Sequence, residues 1–117
     1  MADIDLQSAI LNSLKNPVLV GDLNHTVIYM NRAAELYYSK GAALLGTNLL
    51  DCHNERSQEM LIEILAAMHE GLEERLITDS EKYRIYMRAV RDEDGNLLGY
   101  YERYEPPKEK HSETQNT

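Results

Sequence analysis

The sequence predicts an α+β domain in which helices cover one face of an antiparallel sheet. Runs of strand-like residues near both ends of the chain enclose a run of helical segments, and each strand group contains a hairpin turn, at residues 21–25 and 92–95. In the predicted strand at residues 83–90, apolar and polar side chains alternate. Such alternation is typical of a sheet with one face on a core and the other in water.

The N-terminal segment, residues 1–16, is predicted to form an amphipathic helix. Asp3 or Asp5 can cap it, and it ends before Pro17. Apolar residues recur along one side at helical spacing, namely Leu6, Ala9, Ile10 and Leu14. Because such a stripe needs cover, we expect this helix to dock on the wet face of the sheet or on a second copy of the chain.

The predicted core of the domain, residues 17–105, begins with a hairpin. Its strands are residues 18–20 and 26–30, where β-branched and other apolar side chains are concentrated. Asn31 can cap the short helix that follows, and a second helical piece covers residues 42–45. Short helices are therefore expected to connect the first hairpin to a longer helix.

The strongest helical pattern begins at Asn54 or Glu55 and ends at His69, and Gly71 is placed to stop it. Three strands follow, at residues 75–78, 83–90 and 96–104. Residues 106–117 contain no large apolar side chain, so this tail is expected to be disordered or to act as a linker.

Composition limits the class of partner. The 117 residues include 20 acidic and 12 basic ones, a net charge of −8, which disfavours nucleic acid and anionic membranes as partners. No apolar stretch is long enough to span a bilayer and the N-terminus lacks a basic signal region, so we expect a cytoplasmic protein.

Cys52 is the single cysteine, which excludes an internal disulfide. The chain contains eight tyrosines but no phenylalanine or tryptophan. Each of these tyrosine rings carries a hydroxyl that needs a hydrogen-bond partner or contact with water.

Four stretches carry a resemblance to a known family: residues 10–22 (ILNSLKNPVLVGD), 27–35 (VIYMNRAAE), 44–50 (LLGTNLL) and 90–99 (VRDEDGNLLG). In their order and spacing they resemble a PAS domain, over residues 6–105. The resemblance implies a five-stranded antiparallel sheet in the order 2-1-5-4-3, whose concave face and covering helices enclose a cavity. It also implies a domain that senses and does not catalyse.

The segment at residues 51–57 also resembles a PAS subgroup that carries Cys-His a few residues before a Ser. That subgroup is often fused to hemerythrin-like or other signalling domains. A thiol near a helix N-terminus is favoured as thiolate, and an imidazole there can ligate a metal or hydrogen-bond a ligand. In the alternative interpretation, His53 bonds a nearby carbonyl and Cys52 packs as a small hydrophobic residue.

The predicted ligand-binding side chains come from this segment, the long helix and two strands. They are Cys52, His53, Ser57, Met60, Leu61, Met87 and Tyr101. The methionines can fill irregular space beside a ligand, although core packing is the alternative role. At least one strand tyrosine is expected to meet the cavity, where its hydroxyl could orient a polar ligand.

Known PAS cofactors fit the sequence poorly. PAS domains that bind haem place their proximal His within the long helix, but residues 56–61 read RSQEML, so haem would need unusual ligation by His53 or His69. Flavin PAS domains carry a reactive Cys two residues after the position of Thr47, where this chain has Leu49. We therefore expect flavin chemistry to be absent and leave the cofactor unassigned.

No metal site or catalytic residue is predicted. His69-Glu70 opens like an H-E-x-x-H zinc motif, but Glu73 stands at the second His position. Residues 92–95 read as a turn and not as a calcium loop. No phosphate-binding loop or nucleophile elbow occurs, and we expect no enzyme activity.

A row of basic side chains is predicted on the wet sheet face. Arg84 and Arg88, with Tyr86 between them, could recognise an anion. Alternatively the row is a solvated face paired across strands with Glu102 or similar neighbours.

The sequence thus predicts a sensory or regulatory PAS domain that binds a small molecule between the long helix and the sheet and alters dimer or partner contacts. The expected partners are a second copy, joined through the N-terminal helix, and an effector domain or partner protein. One alternative is a ligand-free dimerisation or interaction module. The other is a haem-binding redox or gas sensor.

Overall fold

The computed structural model describes residues 5–108 and contains a five-stranded antiparallel sheet. The α-helices are α1 (Leu6–Ser13), α2 (Arg32–Tyr37) and α3 (Glu55–His69), and 3₁₀ turns cover Gly41–Leu44 and Leu49–Cys52. The strands are β1 (Val18–Asp22), β2 (Val27–Met30), β3 (Glu74–Asp79), β4 (Arg84–Arg91) and β5 (Leu97–Glu105). Their order in the sheet is β2-β1-β5-β4-β3. The predicted fold class and strand order are confirmed.

β5 is central in the sheet and sets its register. Glu102 on β5 lies opposite Leu19 of β1 on one side and Met87 of β4 on the other. Tyr100 and Tyr104, two residues before and after Glu102, are buried on the same face. This face is the concave side of the sheet, and α3 packs over it.

α3 begins and ends at the predicted signals. The Asn54 side chain accepts a hydrogen bond from the Ser57 amide (2.9 Å) and so caps the first turn. At the other end Gly71 takes a left-handed conformation (φ 115°), and the Leu72 amide donates to the Ala67 carbonyl (3.0 Å). This arrangement is a Schellman motif, in which the positive φ favours glycine.

The core lies between α3 and the concave sheet face. α3 contributes Leu61, Ile64, Leu65 and Met68. Tyr100 is fully buried, and its hydroxyl is hydrogen-bonded to Nδ1 of His25 (2.8 Å), which is also buried. The hydroxyl of this buried tyrosine therefore has the hydrogen-bond partner that its burial demands.

α1 touches the rest of the domain mainly through its C-terminal end. The Asn31 amide nitrogen donates to the carbonyl oxygens of Leu11 (2.9 Å) and Asn16 (3.1 Å). No residue of α1 is buried, and the side chains of Leu6 and Ile10 are 67% and 54% exposed. Within residues 5–108 of a single copy, the apolar stripe of α1 is thus left exposed.

The predicted terminal segments are described only in part. Asp5 caps α1 by accepting from the Ser8 amide (3.2 Å), whereas Asp3 lies outside the described residues. Residues 106–108 belong to no helix or strand, and residues 109–117 of the predicted tail lie outside the described range. Among residues 5–108, the helices lack the length and apolar character needed to cross a bilayer.

Candidate functional site

A cavity of about 310 Å³ lies between α3 and the concave face of the sheet. Its wall is formed by Leu19, Tyr38, Leu44, Leu49, Cys52, His53, Ser57, Met60, Leu61, Ile77, Thr78, Ile85, Glu102 and Tyr104. This volume falls at the small end of the range for small-molecule sites, and the combination of an apolar wall with a few convergent polar groups is typical of them.

Most of the side chains predicted for the site reach this cavity. They are Cys52, His53, Ser57, Met60 and Leu61. Ser57, Met60 and Leu61 lie on the inner side of α3, and Cys52 and His53 come from the turn that precedes this helix. The cap at Asn54 fixes where α3 starts and therefore which of its residues face the sheet.

Two of the predicted residues lie elsewhere. Met87 is fully buried in the core beneath α3 and does not line the cavity. Tyr101 lies on the outer face of the sheet, beside Leu11 and Leu14 near α1. Alternate residues of a strand point to opposite faces, and because Tyr100 and Tyr104 point inward, Tyr101 must point outward. The expectation that Tyr101 meets the cavity is wrong.

His53 is oriented by the backbone before α3. Its Nδ1–H donates a hydrogen bond to the Leu49 carbonyl (2.8 Å), as the alternative interpretation of this residue predicted. In the neutral ring Nε2 then carries the lone pair. Cys52, in contrast, is exposed at the edge of the cavity and is not packed as a small core residue.

Glu102 is the acidic residue of the cavity wall, and the sequence prediction did not place it in the site. Its side chain lines the cavity, the residue is only 7% exposed, and among the described residues no hydrogen-bond partner reaches its Oε2 atom. Burial raises the pKa of this carboxyl to about 7. The period of two along β5 puts Glu102 on the same face as Tyr100 and Tyr104, but it does not say which face looks into the cavity.

Two tyrosines close the cavity at the end of β5. The hydroxyls of Tyr38 and Tyr104 are hydrogen-bonded to each other. Burial raises the pKa of Tyr104 to about 12 and raises the pKa of Tyr38 as well, so both rings stay neutral. Tyr104 also borders a cleft of about 380 Å³ between α1 and the outer sheet face, which we call the outer groove. One residue of β5 thus borders both spaces.

The outer face of the sheet carries a row of ion pairs. Arg88 and Arg103 both contact Glu74 (3.3 and 2.8 Å), while Arg103 and Arg84 contact Glu105 (2.8 and 3.6 Å). The Arg103 hydrogen bond holds the pKa of Glu74 below its usual value. The row is therefore the solvated, paired face of the alternative interpretation. Its acidic partners are Glu74 and Glu105, so the predicted pairing with the inward-facing Glu102 is wrong.

Comparison with known proteins decides the family. A family model described as "PAS domain" matches residues 7–105. The chain belongs to the PAS domain family. The family resemblance found in the sequence is confirmed, and none of the curated proteins matches the chain significantly.

Solved structures share the fold of this PAS domain at low sequence identity. The C-terminal domain of a Streptococcus mutans protein superposes with a TM-score of 0.77 at 17% identity, over 97% of this chain and 91% of that one. The PAS domain of nitrogen regulation protein NR(II) from Vibrio parahaemolyticus gives 0.63 at 17%, over 88% and 99%. The Aer2 receptor from Vibrio cholerae, a dual PAS–haem oxygen sensor, gives 0.61 at 15%, over 78% and 93%.

Few groups of this PAS domain are placed to hold a metal or haem iron. His69 is exposed at the end of α3 and does not line the cavity, so it is not placed to ligate a haem bound there. His25 is buried against Tyr100, so among residues 5–108 His53 is the imidazole on the cavity wall. Within residues 5–108, no group of three or more His, Cys, Asp or Glu side chains is arranged to hold a metal ion.

Proposed function

We propose that this PAS domain is a sensory or regulatory domain that binds a small molecule in the cavity between α3 and the sheet. The observation that carries the proposal is the mixed wall of that cavity. Apolar side chains such as Leu61 and Ile85 surround a few polar groups, and Glu102 brings a carboxyl oxygen that no other described group satisfies. The oxygen sensor and the nitrogen regulation protein that share its fold support a sensory role.

The route from the cavity to a partner runs through β5. Tyr104 borders both the cavity and the outer groove, and its amide donates to the Pro17 carbonyl (3.1 Å) at the start of β1. A ligand can shift the domain only by binding one arrangement of these elements more tightly than another. Contact with Tyr104 provides such a difference, because the same residue also borders the outer groove beside α1.

The output is a change in the contacts of α1. Its apolar stripe, including Leu6 and Ile10, is exposed in the described part of a single copy. A second copy presents the same stripe, and two such stripes can cover each other about a twofold axis. We propose that the protein acts as a dimer in the cytoplasm and passes the signal to an effector domain or partner protein.

The cavity is assigned to binding and not to catalysis. A cysteine nucleophile needs a base within hydrogen-bond reach. Among the described residues His53 holds the Leu49 carbonyl through Nδ1, and neither of its ring nitrogens is hydrogen-bonded to the Cys52 thiol. The arrangement suits a fixed recognition surface better than an activated thiol.

The experiment that tests the proposal is recovery of a ligand from the purified full chain. Native mass spectrometry, absorbance in the haem and flavin bands, and analysis of molecules released on denaturation should reveal a bound compound. A thermal-shift panel of metabolites then tests its return, since a ligand raises the melting temperature of the state it binds. A colourless protein that releases nothing and whose melting temperature no metabolite changes would favour the ligand-free interaction module instead.

A His53→Ala variant tests the site itself. It should weaken binding of a recovered ligand with a small loss of apo stability, because the side chain is half-buried and makes a single hydrogen bond to Leu49. Tyr101→Phe is the matched control on the outer face of the sheet and should leave the affinity unchanged. Equal affinity for wild type and His53→Ala would remove His53 from the site.

A further inference from the structure

The cavity contains one carboxyl group whose surroundings in the protein leave it incomplete. Glu102 is 7% exposed and its Oε2 atom has no hydrogen-bond partner among residues 5–108. A buried carboxyl without a partner costs free energy, because it has lost water and gained nothing in exchange. Native structures contain few such groups, and a missing ligand is one physical reason for their presence.

No lysine or arginine of the wall can complete the hydrogen bonding of Glu102. The cavity lining contains neither Lys nor Arg, and its other polar groups are hydroxyls, the Cys52 thiol and the His53 imidazole. The arginines that flank Glu102 in sequence and register, Arg103 and Arg88, point to the outer face and pair with Glu74 there. The electrostatic character of the cavity is therefore set by Glu102.

We infer that the cavity binds a small organic cation with N–H donors, such as an amine or amidine, whose nitrogen hydrogen-bonds to Glu102. This inference rests on the proposed function and specifies its ligand. Charge-assisted N–H bonds to a carboxylate are strong, particularly where water is excluded. The carbon body of the ligand would pack on apolar wall residues such as Leu19, Met60 and Ile85. A carboxylate or phosphate ligand is disfavoured, because it would meet a like charge.

Binding of such a cation should strengthen as Glu102 ionises. Burial holds the pKa of Glu102 at about 7, so the carboxylate fraction grows between about pH 6 and 8. The other titratable groups of the wall are Tyr38, Cys52, His53 and Tyr104. The two tyrosines stay neutral in this range. The comparison of wild type with Glu102→Gln isolates the part of the pH profile that belongs to Glu102.

The test compares three probes that share one ring: benzamidine, benzyl alcohol and benzoate. Each is titrated to about 10 mM, the range of weak fragment binding, into the full isotope-labelled chain while amide resonances of the cavity wall are followed by NMR. Benzamidine should shift these resonances at pH 8 and bind at least about tenfold more tightly than benzoate. In Glu102→Gln, which keeps the shape and removes the charge, benzamidine should lose at least about tenfold in affinity.

Glu105→Gln is the matched control, because it removes the same charge from the same strand on the outer face. It should leave benzamidine binding unchanged. Equal binding of benzamidine and benzoate by the wild type would overturn the inference even if the Glu102 variant failed to fold. Binding of benzyl alcohol or benzoate without benzamidine would overturn it and leave the proposed function intact. Failure of all three probes to shift the cavity resonances would count against both.

Discussion

The Asn31 side chain joins the start of the sheet to the start of α2 by accepting a hydrogen bond from the Val18 amide (2.9 Å). The same Oδ1 atom caps α2 by accepting from the Ala34 amide (2.9 Å), while the amide nitrogen holds the carbonyls of Leu11 and Asn16. Asn31 is fully buried. One side chain therefore satisfies four backbone groups from three segments and attaches α1 to the core.

Replacing Asn31 with Ala should destabilise the domain by about 3–5 kcal/mol, because it removes a helix cap and leaves buried backbone groups unpaired. The control is Asn54→Ala, which removes the cap of α3 at an exposed position with a single bond to the Ser57 amide. It should cost about 1 kcal/mol. Urea unfolding followed by circular dichroism measures both, and equal losses would show that the additional bonds of Asn31 contribute nothing.

The stability of the protein should carry a pH dependence that belongs to Glu102. Burial raises the pKa of this carboxyl from 4.5 to about 7, so the folded state holds a proton that the unfolded chain releases. Stability from this group is therefore present below about pH 4.5 and is lost as the pH rises towards 7. Relative to wild type, Glu102→Gln should gain about 2–3 kcal/mol between about pH 5 and 8.

The difference between variant and wild type isolates Glu102, because other groups titrate in the same range. Burial lowers the pKa of His25, which acts in the opposite direction: its contribution is lost as the pH falls. Urea unfolding of wild type, Glu102→Gln and the outer-face control Glu105→Gln gives the comparison. A constant difference for Glu102→Gln across this range would contradict a buried, proton-holding carboxyl.

Two glycines of the β4–β5 hairpin should respond differently to the same substitution. A Cβ atom at Gly99 would lie 2.3 Å from the Gly21 carbonyl oxygen of the neighbouring strand, so Gly99→Ala should cost about 3 kcal/mol or more. Gly95 has a positive φ (86°) but open space around it, so Gly95→Ala should cost about 1 kcal/mol. Thermal unfolding ranks the two, and a Gly99→Ala protein as stable as Gly95→Ala would contradict the close approach of β1 and β5.

Dimerisation through α1 should depend on its apolar stripe. In the proposed dimer, Ile10→Ser removes an apolar contact and should shift the protein towards monomer at a concentration where the wild type is a dimer. Ile62→Ser is the control, because Ile62 on α3 is similarly exposed (49% against 54%) but belongs to a different helix. Light scattering coupled to size-exclusion chromatography gives the masses. A dimer that survives Ile10→Ser, or a monomeric wild type, would exclude this interface.

Local signals explain why much of the fold could be predicted. Asp5, Asn31 and Asn54 cap their helices through contacts within three residues, and such contacts are visible in the sequence as short patterns. The strand order came from the family resemblance, since no local pattern states which strands are neighbours. The same resemblance located the part of the cavity wall around His53, because α3 and the turn before it keep their places in the fold.

By itself the sequence determined the caps, the turns and the alternation that make this an α+β domain. Only the tertiary structure decided which face of β5 looks into the cavity. Alternation shows that Tyr101 and Glu102 lie on opposite faces, but tyrosines occur on both faces of this strand, so hydrophobicity does not identify the inner one. Packing of α3 on the side of Tyr100 and Tyr104 settles it, and that packing buries Glu102 among apolar residues. The charge of the candidate site is therefore a product of packing between elements distant in the chain.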